Sequence, residues 1–142
     1  IHVRQGEYDA AEAWLDNSPL PIDIDLLSDF LDAMRQGSPS AKDAMASDVL
    51  TAYSNGLPGR FAYVMLDHLG AIEMAMEVAS RETDTGHFDL SIVMFDPYFP
   101  GPRQTEAFGR IAERLGYVDY WRAHGAPDFC DETPMPAICQ AL

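Results

Sequence analysis

Residues 23–54 read DIDLLSDFLDAMRQGSPSAKDAMASDVLTAYS, and the spacing of their apolar side chains decides the fold class. Leu27, Phe30, Leu31 and Met34 fall at i, i+3, i+4 and i+7, the repeat that places side chains on one face of an α-helix. Asp23 or Asp25 can cap its start, and Gly37 supplies the stop. Ser38 or Ser40 can cap a second helix, on which Ala41, Ala44, Met45, Val49, Ala52 and Tyr53 form another stripe before Asn55-Gly56 ends it. The segment predicts two consecutive amphipathic helices, and an all-α fold follows if the pattern recurs on either side.

It does recur. Upstream, residues 5–16 are rich in helix formers, with Tyr8, Ala11 and Leu15 on one stripe, and Pro19 and Pro21 break the chain after them. Downstream, residues 58–69 put Phe61, Met65 and Leu69 on one face, with Ala62 and Leu66 extending it. Gly70 turns the chain into residues 71–82, where Ile72, Ala75, Met76 and Ala79 follow the same period. A connection that short predicts a helical hairpin of 58–69 with 71–82. Phe108, Ile111, Ala112 and Leu115 repeat the spacing over 104–115, Gly116 ends that helix, and Tyr117–His124 can form a short one. Residues 83–102 differ. Their apolar run from Phe88 to Phe95 has no second β-rich run to pair with, so a short helix or packed extended insert is expected.

With 142 residues, the chain can bury about two thirds of its unfolded surface without metal or disulfide staples. One helical domain, 1–142, is expected, with 83–102 as an irregular insert and 125–142 as a C-terminal tail. No apolar run is long enough to cross a bilayer, so this domain is not expected to insert into a membrane. Net charge is −14, which repels a phosphate backbone and argues against direct nucleic-acid contact. Residues 1–50 hold ten acidic against three basic side chains, so a basic partner would be drawn to the N-terminal half. The first residue is Ile1, and the chain reads as a piece of a longer protein.

Catalytic patterns are sparse. His2, His68, His87 and His124 are scattered, and there is no Gly-rich phosphate loop, Gly-x-Ser-x-Gly elbow or His-Glu-x-x-His helix. No cofactor, metal or enzymatic activity is therefore expected, and a hydrolase, the third option, would be tested by mutating His87 and Asp89. His68, beside Met65 and Leu69, reads as a structural histidine. Cys130 and Cys139 can close a local disulfide worth about 2–3 kcal/mol in the chain-entropy model, or remain as thiols. A zinc site with His124 and Asp128 or Asp131 matches no finger spacing. Calcium at Asp84, Asp89 and Asp96 lacks the glycine and glutamate of an EF-hand loop. Tyr120, Trp121 and Phe129 read as an aromatic plug over the last helices.

Glycine spacing points to repeats. Arg4-Gln5-Gly6 recurs as Arg35-Gln36-Gly37, and Gly70 follows 33 positions later. An apolar residue at +2 and Ala at +5 accompany Gly6 (Tyr8, Ala11) and Gly70 (Ile72, Ala75). This pattern resembles the tetratricopeptide family, whose unit of roughly 34 residues is a helix, a tight glycine turn and an antiparallel helix. The resemblance implies antiparallel hairpins stacked as a degenerate array, pairing 23–36 with 39–54, 58–69 with 71–82 and 104–115 with 117–124. The ending, Phe108 through Leu115-Gly116-Tyr117-Val118-Asp119-Tyr120-Trp121-Arg122 to Pro127-Asp128-Phe129-Cys130, is similar to the C-terminal end of such regions in bacterial membrane-anchored winged-helix transcriptional regulators and adenylate-cyclase-like proteins.

The resemblance implies a non-enzymatic regulatory module that binds a protein or peptide segment. Asp25, Asp29 and Asp32, at i, i+4 and i+7, form an acidic stripe opposite Leu27, Phe30 and Met34, and Tyr63 on the next first helix is expected to border it. A basic peptide would suit such a groove. The alternative is a small-molecule sensor whose apolar pocket beside the insert is walled by Phe88, Phe95, Tyr98 and Phe99. Membrane anchoring of the parent chain would place the module in the periplasm, in keeping with a Cys130–Cys139 bridge; otherwise it is cytoplasmic.

Overall fold

Asp23 starts one helix and Ser38 the next. The Asp23 carboxylate accepts the Asp25 amide at 3.0 Å, and the Ser38 hydroxyl accepts the Ala41 amide at 3.3 Å, each filling one of the orphan donors of a helix start. Between them Gly37 sits at φ 68°, a left-handed conformation costly for other residues, and its N–H bonds the Ala33 carbonyl. The computed structural model describes residues 2–15, 23–86, 95–96 and 99–142. Among these it is all-helical, with no strand.

Packing divides the chain into two compact units, Ile1–Ala71 and Ile72–Leu142. The first holds α1 (His2–Gln5), α2 (Tyr8–Leu15), α3 (Ile24–Gln36), α4 (Pro39–Ser54) and α5 (Gly59–Leu69). Consecutive helices pack together: α2 on α3, α3 on α4 and α4 on α5. Phe30, Leu31 and Ala33 of α3 are buried, as are Met45, Ala46 and Val49 of α4 and Ala62, Tyr63, Met65, Leu66 and Leu69 of α5. The α4 stripe is narrower than expected. Ala46 is buried and Ala44 exposed where α4 packs against α3 and α5. On its outer face the hydroxyls of Ser47, Thr51 and Ser54 donate to carbonyls four residues back, at 3.0–3.1 Å, so these weak helix formers satisfy themselves locally.

The second unit holds α6 (Ile72–Thr85), α7 (Pro100–Arg103), α8 (Glu106–Arg114), α9 (Tyr117–His124) and two 3-10 turns, Asp128–Asp131 and Ala137–Ala141. The boundary falls after Ala71, so the two segments expected to form one hairpin, 58–69 and 71–82, belong, Ala71 apart, to different units. Helix α6 runs three residues beyond its expected end and buries Ala75, Met76, Val78 and Ala79. Thr105 caps α8 by accepting the Phe108 amide at 3.2 Å, which puts Phe108, Ile111 and Ala112 inward. The expected insert is partly helical: Pro100 and Pro102 sit in the first turn of α7, where a missing amide costs nothing.

Residues 125–142 are no loose tail. Phe129, Ile138 and Leu142 pack against Ala112, Val118 and Trp121, and Pro136 is fully buried. Cys130 and Cys139 are joined, with 5.6 Å between their Cα atoms.

Candidate functional site

Each unit carries a cleft that could receive a ligand. In the N-terminal unit, α1 supplies His2 and Val3, α2 supplies Ala11 and Trp14, and α3 supplies Leu27, Phe30 and Leu31, enclosing about 380 Å³. Trp14 is 53% exposed, a large apolar ring left in water where its helix could have turned it inward. The i, i+3, i+4 triplet of α3 does two jobs here, with Phe30 and Leu31 buried and Leu27 half-buried at the cleft wall.

The acidic stripe lies elsewhere. Asp25, Asp29 and Asp32 are exposed on the face of α3 opposite Leu27 and Phe30, so they do not line this cleft. Asp32 is paired with Arg35 at 2.5 Å, and the same guanidinium reaches Asp9 at 3.2 Å and Glu12 at 3.1 Å on α2. Those carboxylates, Glu12 foremost, raise the Arg35 pKa. Asp25 and Asp29 make no ion pair among the described residues. Tyr63 does not border the stripe: it is 0% exposed, because α5 turns it into the core beside Ala62 and Leu66.

Near its end α5 carries two perturbed groups. Burial pushes the Asp67 carboxyl up to about 6, with the nearby Arg4 charge working against it. Burial pushes the His68 imidazole below its ordinary value, opposed by a hydrogen bond to the Val64 carbonyl. With Nδ1 donating to Val64 at 2.8 Å, Nε2 is left to accept from Arg4 Nε at 3.5 Å. The ring also meets Phe30 edge-on, at 6.5 Å between centroids. These contacts fit a neutral, structural histidine.

The C-terminal unit carries the second cleft, about 490 Å³, lined by Phe95, Tyr117, Tyr120, Trp121 and Phe129 together with Arg103, Asp128 and Glu132. Phe95 is the hub of the rings. It meets Tyr117 at 4.8 Å and Trp121 at 5.9 Å edge-on, and stacks with Phe129 at 6.4 Å. Trp121 and Phe129 form the expected plug. Tyr120 does not: it is 59% exposed and stands at the rim, with His124 4.5 Å from its ring.

Arg103 is the least expected member. Only 2% exposed, it donates to the Asp96 carbonyl at 2.9 Å and to the Glu132 carboxylate at 2.6 Å, and its guanidinium lies 5.7 Å from the Phe129 ring. A buried charge needs such partners, since leaving it unpaired is costly. Nothing in the local spacing of Pro-Gly-Pro-Arg announces this role.

Of the residues expected to wall a sensor pocket, Phe95 lines this cleft and Phe99 is buried. Phe88 and Tyr98 lie outside the described residues, as do His87 and Asp89 of the hydrolase option. The disulfide takes both sulfurs from any zinc site. Among the described residues no group of three or more His, Cys, Asp or Glu side chains is placed to hold a metal ion. Asp84, a calcium candidate, is paired with Arg114. A third cleft, between α6 and α8, has self-satisfied walls: Glu77 pairs with Arg81 at 2.5 Å and Arg110 with Glu106 at 3.5 Å.

Among the described residues no helix is long and apolar enough to cross a membrane. No protein-family model, curated protein or solved structure matches this chain.

Proposed function

We propose that the chain is a non-enzymatic binding module that recognises a basic, amphipathic peptide or protein segment through its N-terminal unit. The observation that carries this reading is Trp14, half in water at the mouth of a cleft whose other walls, His2 apart, are apolar. An apolar anchor of the partner fills the cleft, and burying one such side chain is worth about 1.5–3 kcal/mol. Eleven acidic against four basic side chains in residues 1–71 attract the partner from a distance. The unpaired Asp25 and Asp29 act on association rate and salt dependence more than on the final contact.

The reading extends to the parent protein. Helices ended by left-handed glycines at Gly37, Gly70 and Gly116 support a degenerate tetratricopeptide-like array, and the ending at 108–130 supports the regulatory part of a bacterial winged-helix regulator. The Cys130–Cys139 bond supports an extracytoplasmic location over the cytoplasm. A second reading, a small-molecule sensor, is favoured by the meeting of Phe95 with Tyr117, Trp121 and Phe129 around one open cleft, with Tyr120 at its rim.

The test is titration calorimetry of the full chain with a helical Lys/Leu peptide of alternating faces. Trp14→Ala is expected to weaken binding at least tenfold. The double variant Asp25→Asn, Asp29→Asn is expected to slow association and flatten its salt dependence with a smaller change in affinity. Binding unchanged in both variants rejects the reading.

A further inference from the structure

From the cleft of the C-terminal unit we infer the class of ligand it takes: an organic cation of the alkylated ammonium type. This rests on the sensor reading and names its ligand. Phe95, Tyr117, Tyr120, Trp121 and Phe129 share one cleft, and aromatic faces carry the negative part of the ring quadrupole, which attracts a cation placed over them. The rings already do this internally, with the Arg103 guanidinium over Phe129.

The charges set the sign of the remaining site. Arg103 is spoken for by Glu132 at 2.6 Å. Asp128 also lines the cleft, is exposed, and makes no ion pair among the described residues. One uncompensated negative charge thus faces a wall of rings. An anion would meet Asp128 with Arg103, the one guanidinium lining the cleft among the described residues, already paired. A neutral apolar ligand would fill the space but leave the carboxylate unused.

Hydration decides which cation. A primary ammonium is strongly hydrated and would surrender that water to rings that replace few of its hydrogen bonds. Methyl groups on the nitrogen spread the charge, lower the desolvation cost and present an apolar surface to the rings, so the quaternary or trimethylated form fits best. A cleft of about 490 Å³ leaves room for such a head group and part of its chain.

Free quaternary amines and a trimethylated lysine side chain share this chemistry. The experiment is titration of the oxidised full chain with choline, with 3,3-dimethyl-1-butanol as its neutral isostere, and with Nα-acetyl-trimethyllysine amide. Choline or the lysine derivative is expected to bind at least tenfold more tightly than the neutral isostere. The tighter of the two identifies the source. Tyr120→Ala and Asp128→Asn, both at exposed positions, are each expected to cut the cation affinity severalfold while leaving the circular dichroism spectrum unchanged. Equal affinity for choline and its isostere overturns the cation and leaves an apolar sensor standing. Absence of binding by all three overturns both the cation and the sensor. Cation binding indifferent to both variants overturns this site.

Discussion

The two units carry the same charge excess, eleven acidic against four basic side chains in one and twelve against five in the other, yet they are held together by different means. In residues 1–71 the work is done by helices of 13 and 16 residues with side-chain-capped starts, a third of 11 residues, and an aliphatic and alanine-rich core. In residues 72–142 the three helices after α6 have four, nine and eight residues, lengths at which an isolated helix does not hold its hydrogen bonds in water. There the deficit is met by interlocking rings, a buried guanidinium and a covalent link in the chain's last turns. Short helices need cross-bracing, and the side chains that provide it are also those that wall the cleft.

The largest test of that contrast is Glu132→Ala. It leaves the Arg103 charge buried without its carboxylate, and a loss of about 3 kcal/mol is expected in denaturant unfolding. Hydrogen exchange locates the effect: amides of 100–142 should lose protection while those of 24–69 keep theirs. Equal loss in both segments would break the comparison. Next comes removal of the Cys130–Cys139 link by the double Cys→Ser change, expected to cost about 2–3 kcal/mol with the same regional signature.

The smallest effect belongs to the N-terminal unit and is one of pH. The Asp67 carboxyl is pushed up to about 6, above the ordinary value near 3.9, so the fold favours its protonated form. Its charged form therefore penalises the fold above pH 6, and the penalty fades as pH falls toward 4. Asp67→Asn should stabilise the protein at pH 8 by about 1 kcal/mol, after discounting for partial solvent screening, and have little effect at pH 4. His68, lowered by burial, acts in the opposite sense, since acidification charges it less readily in the fold than in the unfolded chain. Comparing wild type with Asp67→Asn at each pH cancels the histidine.

Much of the helical layout could be read from spacing because it is a local property. Asp23, Gly37, Ser38 and Gly116 punctuate helices by rules that act over a few residues. The pairing of Cys130 with Cys139 was open to view for the same reason. What escaped was long-range. The Arg103–Glu132 contact spans 29 positions, and an arginine is by default a surface residue. Tyr63 looked like a rim residue because its helix has apolar side chains on more than one face. The acidic stripe on α3 was correctly placed opposite the apolar one, but the cleft depends on α1 and α2 approaching the apolar side. Trp14 belonged to a segment whose readable stripe was Tyr8, Ala11 and Leu15. Its importance comes from sharing a cleft with Leu27, Phe30 and Leu31 of α3.

Arg35 reaches Asp9, Glu12 and Asp32 at once, fastening the short α2, and with it Trp14, to α3 from the solvent side. A seam of exposed ion pairs relaxes when the surrounding electrolyte thickens. Brine would therefore blur the seat of the indole as well as mute the pull of the carboxylates, and an Arg35→Gln protein in dilute buffer would imitate the first of these changes without the second.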